Sequence, residues 1–139
     1  MSPSPKIKYC SGYKYQLEEN YSIQTPLRPA TQINAEYISL DTDGMLSIRS
    51  SYAWDGPSGP TVDSPSSMRG SLVHDALYQL IREGFLPMEA RETADNMLEQ
   101  LCIEDGMWRW RAKAWRWAVS TFAKNAAEWK NEHKIVTAP

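Results

Sequence analysis

Histidine is scarce in this chain: 139 residues hold only two, His74 and His133. A transition-metal centre needs several such ligands, so a zinc peptidase with paired helical histidines and an HD-type phosphohydrolase are both excluded. Cysteine is as sparse. Cys10 and Cys102 lie far apart, in no metal-ligand spacing, and are read as two free thiols rather than a disulfide. No glycine motif opens a helix in the way a P-loop or a dinucleotide fold requires. No apolar run approaches the ~20 residues that span a bilayer, and the N-terminal MSPSPKIKYCSGY lacks the apolar core of a signal peptide. The expectation is a protein made in a cytoplasm, with no transmembrane segment, that leaves by lysis or inside a particle if it leaves at all. Neither charge is in large excess. Fifteen Lys and Arg against 17 Asp and Glu give a net charge of -2, which argues against a nucleic-acid partner gripped through its phosphates.

The length fits one domain, residues 1–139, with a single core. Residues 6–54 read as β-rich. Tyr15, Leu17, Tyr21 and Ile23, around Glu18-Glu19-Asn20, suggest a loose hairpin. A firmer one has Ile38 and Leu40 on one strand, Leu46 and Ile48 on the other, and Asp43-Gly44 as its turn. Residues 55–70, DGPSGPTVDSPSSMRG, are read as a Pro/Gly loop, serving either as a ligand cradle or as a plain surface connection.

The period then turns helical, and residues 71–130 read as three helices. Ser71 is placed to cap the first, Val73, Leu77 and Leu80 form its apolar face, and Gly84 stops it. His74, Tyr78 and Ile81 fall on a neighbouring, more polar face. A second helix is expected from Pro87 to about Glu104, with Ala90, Ala94, Leu98 and Leu101 as its stripe and Asp95 beside it. The short Gly84-Phe85-Leu86 link makes this pair antiparallel. The third helix is expected from Met107 to about Lys130, with Trp108, Ala112, Trp115, Val119, Phe122, Ala126 and Trp129 as a buried stripe. Trp110 and Trp117 form a second stripe among Arg109, Arg111, Lys113 and Arg116. That stripe either packs with the basic side chains snorkelling past it or meets lipid head groups or a partner. Residues 131–139 read as a polar tail. The fold class is therefore α+β, a small N-terminal antiparallel sheet followed by three helices.

One constellation carries chemistry. Adjacent helical side chains point about 100° apart, so Asp75 is not expected to orient His74, and Asp95 from the next helix takes that role. Asp95 would hold one tautomer and stabilise the imidazolium formed when His74 takes a proton from water. Asp75, turned toward the preceding loop, would meet Asp55 and loop carbonyls in an oxygen cage suited to calcium.

The segment HDALY, with His74, Asp75 and Tyr78, resembles the helix signature of phospholipase A2, and the interval to Asp95 is similar to that in the short bacterial members. Asp55-Gly56 resembles their calcium-loop turn. The resemblance covers about Asp55 to Leu101. It implies His74 as general base, Asp95 as its orienter and Tyr78 as a support that hydrogen-bonds toward Asp95. Asp75, Asp55 and Gly56 would hold calcium. The chain departs from the secreted enzymes in its loop prolines, its lack of helix-stapling disulfides and its β-rich first half. Over more of its length it resembles an uncharacterised family of tailed-bacteriophage and prophage proteins. That likeness rests on the order Asp55 to Pro60, Ser71 to Tyr78, Arg91 with Ala94-Asp95, Gly106, and Arg111-Ala112.

The resemblances imply a phage-encoded, calcium-dependent ester hydrolase made in the host cytoplasm and acting on phospholipid of the bacterial envelope. Trp110, Trp117, Arg109 and Arg116 would then face an anionic bilayer or other phage proteins. The alternatives are a non-enzymatic virion or host-interaction protein on the same scaffold, and hydrolysis of a cell-wall amide or ester.

Overall fold

The computed structural model describes residues 9–10, 15–54 and 65–133, with side chains described over 15–54 and 66–121. Among the described residues seven short strands precede three helices, so the expected α+β order is present, with two antiparallel sheets in place of one. The first sheet has the order β1 (Tyr9–Cys10), β2 (Tyr15–Leu17), β7 (Ala53–Trp54). The second has the order β3 (Tyr21–Gln24), β6 (Met45–Ile48), β5 (Ile38–Leu40), β4 (Ile33–Asn34).

The firm hairpin is present, with Leu40 opposite Leu46 and Ile38 opposite Ile48. Asp41 Oδ1 accepts from the N–H groups of Asp43 and Met45 at 2.9 Å each, and Gly44 takes φ +92° in the turn. A Cβ there would stand 2.4 Å from the Leu27 carbonyl oxygen, so both backbone conformation and space require glycine.

The looser hairpin is corrected. Strands β2 and β3 belong to different sheets, because the N–H and carbonyl of Leu17 are already taken by Tyr52 O at 2.9 Å and Ser51 N at 2.6 Å. Strand β3 pairs with β6 instead, where Tyr21 and Ile23 can be buried.

The first helix, α1 (Pro65–Arg82), begins six residues before the expected start and takes the end of the expected loop with it. Ser71 therefore sits inside the helix rather than capping it. It is buried, donates to the Met68 carbonyl at 2.9 Å and accepts from Trp54 Nε1 at 3.1 Å. Gly84 ends α1 as expected, with Phe85 N bonded back to Leu80 O.

The second helix, α2 (Ala90–Glu104), starts three residues after Pro87, which lies in the preceding turn. All four positions of its expected stripe are buried. Contacts of Gly70 with Leu98 and Cys102, and of His74 and Tyr78 with Asp95, run in opposite directions along α1 and α2, making them antiparallel. The third helix is α3 (Arg109–His133), which continues through three residues of the expected tail. Residues 134–139 lie outside the described ones.

One apolar core joins both sheets, α1 and α2. A smaller one, Leu98, Cys102, Met107, Ala112, Trp115 and Val119, joins α2 to α3. The sheets are also tied to the helices by polar groups. Tyr52 donates to Gln79 at 3.1 Å, and Arg69 reaches Tyr21 at 3.2 Å, Glu104 at 3.0 Å and both oxygens of Asp105 at 3.0 and 3.1 Å.

Candidate functional site

His74 projects from the middle of α1 with only 10% of its side chain exposed, because Val73, Leu77 and Leu80 turn the adjacent face into the core. Its Nε2 lies 2.8 Å from Asp95 Oδ1, the expected pairing across the two helices. Tyr78, one turn on, donates to the same oxygen at 2.8 Å. Its ring also packs on the imidazole, with centroids 4.2 Å apart.

A third donor was absent from the sequence reading. Ser120 of α3 donates to Asp95 Oδ2 at 2.6 Å. The one hint of it in the sequence is a serine flanking the apolar stripe next to Val119, a position that small polar residues occupy for many reasons.

These contacts determine the charges. Burial alone would raise the pKa of Asp95, but the bonds from His74, Ser120 and Tyr78 outweigh it and the carboxyl is held below its ordinary value. Asp95 is therefore ionised at neutral pH, and Nε2 carries the hydrogen it donates. For His74, burial disfavours the charged ring, yet Asp75 and Asp95 outweigh it and the pKa is raised above 6.5. Burial and the neighbouring Asp95 carboxylate push the Tyr78 phenol upward, so it stays a neutral donor.

Asp75 lies beside the ring without orienting it. Its Oδ1 lies 3.7 Å from His74 Nδ1, so the neighbour in sequence does face the ring electrostatically. The distance is too long for a hydrogen bond, which leaves Nδ1 without such a partner among the described residues. Asp75 is itself partly exposed, at 35% of its side chain. Asp55 and Gly56, the other expected calcium ligands, lie outside the described residues. Among the described residues no three of His, Cys, Asp and Glu converge on a point.

The aromatic stripe divides. Ala112, Trp115 and Val119 are buried as expected, whereas Trp108 is 71% exposed and belongs to the surface. It precedes the first residue of α3, so helical spacing does not govern where its side chain goes. The side chains of Phe122, Ala126 and Trp129 lie outside the described residues.

Trp110 and Trp117 are 65% and 70% exposed, and Arg109 is also exposed. Arg116 is not part of that surface. It is partly buried and turns toward Glu99, at 3.9 Å, with Lys113 3.5 Å from the same carboxylate.

The cavities formed by described residues include two of note. One of about 540 Å³ lies between β3 and the face of α2 opposite Asp95, lined by Ile23, Gln24, Arg69, Asn96, Met97 and Gln100 among others. A smaller one of about 320 Å³ is lined by Ser66, Gly106, Met107, Trp108, Trp110 and Arg111. Among the described residues, no helix is long and apolar enough to cross a membrane. Compared with known proteins, the chain matches no family model, no curated protein and no solved structure.

Proposed function

We propose that this chain is a hydrolase of phospholipase A2 type, encoded by a phage and acting on ester bonds of bacterial phospholipid, with His74 as general base and Asp95 as its orienting partner. One observation carries the reading. The imidazole is held by a buried, ionised carboxylate that Tyr78 and Ser120 fix in place, while its other nitrogen has no hydrogen bond among the described residues.

In such a site His74 Nδ1 takes a proton from a water molecule as the water oxygen attacks the ester carbonyl. The resulting imidazolium stands against Asp95, and its proton passes to the departing alcohol as the ester bond breaks. Calcium belongs to the proposal through the resemblance of Asp55, Gly56 and Asp75 to a calcium loop and its aspartate. Asp75 is the one such residue in the described part, and no step is assigned to the ion.

A second reading, a non-enzymatic virion or host-interaction protein, is favoured by a different observation. The bonds to Asp95 join α1, α2 and α3, which is what a purely structural lock would do, and both cavities are lined by residues other than His74, Asp75 and Asp95.

Fatty-acid release from mixed phospholipid vesicles separates the two. The comparison is wild type in calcium, wild type in chelator, and His74→Ala in calcium. Release that requires both calcium and His74 is the expected result. No release above the variant, with calcium raising neither activity nor melting temperature, would leave the scaffold reading standing.

A further inference from the structure

Large aromatic side chains seldom stand fully in water, yet Trp108, Trp110 and Trp117 are 71%, 65% and 70% exposed. They lie together. The rings of Trp108 and Trp110 have centroids 6.2 Å apart, and Trp117 follows Trp110 by seven residues, which places it about 20° around and about 10 Å along the same helix. Ala114, exposed, and Lys113 lie between them along the helix.

Along α3 itself, the charges beside them have one sign. Residues 109–121 hold Arg109, Arg111, Lys113 and Arg116 and no acid, in a chain whose net charge is -2. Lys113 and Arg116 turn toward Glu99. Arg109 and Arg111 have no carboxylate partner among the described residues. Arg111 also lines the recess of about 320 Å³ beside Trp108 and Trp110, so a cation faces a cleft walled by two indoles.

We infer that this end of α3 docks on an anionic lipid bilayer, with Trp108, Trp110 and Trp117 entering the head-group region and Arg109 and Arg111 meeting lipid phosphates. Indole combines an apolar body with one N–H donor and suits the boundary between acyl chains and water. Basic side chains at the edge of such a surface meet the negative potential of an anionic leaflet. A nucleic acid fits less well, because the overall charge of the chain is negative. None of these five side chains belongs to the dyad, and the inference deepens the proposed lipid substrate without depending on hydrolysis.

The test is co-sedimentation with vesicles of phosphatidylglycerol and phosphatidylcholine against vesicles of phosphatidylcholine alone. Wild type, Trp110→Ser/Trp117→Ser, Arg109→Glu/Arg111→Glu and His74→Ala are compared, with circular dichroism and melting curves confirming that each is folded. Wild type and His74→Ala are expected to bind the anionic vesicles alike and to release as salt rises. The tryptophan pair should weaken binding by at least about tenfold, and the arginine pair by about as much. Equal binding to both vesicle types, no binding to either, or unchanged binding by both double variants would overturn the inference. So would a concentration-dependent dimer that the tryptophan substitutions abolish, which would assign the face to a second copy. Hydrolysis failing while His74→Ala and wild type both bind would reject the enzyme reading and leave the surface intact.

Discussion

Asp95 receives hydrogen bonds from three side chains on two other helices, and that arrangement makes it costly to disturb whether or not His74 performs chemistry. Removing it leaves three buried or partly buried donors without their acceptor. Asp95→Ala is expected to lower unfolding stability by about 3 kcal/mol, and Ser120→Ala, which loses one bond to a charged group, by about 2 kcal/mol. Urea titration of both variants checks this, and a loss in Ser120→Ala equal to that in Asp95→Ala would contradict it.

The same contacts give a pH dependence with a definite sign. The folded pKa of His74 lies above 6.5, so its stabilisation is fully present below that pH and is lost as pH rises through the folded value. Asp95 lies below 3.8, so its stabilisation is present above that pH and is lost as pH falls through the folded value. Urea midpoints should therefore be highest between about pH 4 and 6.5 and decline above it, and His74→Gln should lack the decline. Identical profiles for the two proteins above pH 6.5 would refute the assignment.

At the scale of elements, the packing of α1 on α2 depends on Gly70. A Cβ at this position would come within 2.9 Å of Cys102 Sγ and 3.2 Å of the Leu98 carbonyl oxygen, so the helices approach more closely here than alanine allows. Alanine favours a helix by about 1 kcal/mol over glycine, but overpacking a buried contact costs about 1–3 kcal/mol. Gly70→Ala is expected to destabilise by about 1 kcal/mol, and Cys102→Ala to recover part of that loss in the double variant. Additive losses in the cycle would show that the two positions do not press on each other. Gly70 also accounts for the misplaced start of α1. One proline, two serines and one glycine from 65 to 70 read locally as loop, and burial of Met68, Arg69 and Gly70 against the rest of the fold overrides that preference.

Across the whole molecule, the strand-rich half and the helical half meet through a shared apolar core and a few buried polar bonds. Arg69 is the clearest of these. It is only 6% exposed and joins α1 to Tyr21 of β3 and to the end of α2. Its place in a segment that reads as loop hid this role. Cys102 has a comparable standing: burial pushes its thiol up to about 12, which keeps it an inert part of the core between α2 and α3.

The sequence by itself determined the α+β order, the Asp43-Gly44 hairpin, the apolar faces of α1 and α2, and the pairing of His74 with Asp95, the Tyr78 bond having been implied only by the phospholipase A2 resemblance. These depend on short-range turn chemistry, on helical periodicity, and on an antiparallel helix pair whose short link places the facing turns. Only the tertiary structure decided that the strands divide into two sheets, that Ser120 completes the bonding of Asp95, that Arg116 turns inward to Glu99, and that Trp108 stands in solvent. Each of those outcomes depends on which surfaces meet at long range, and periodicity along one element carries no information about the partner that will cover it.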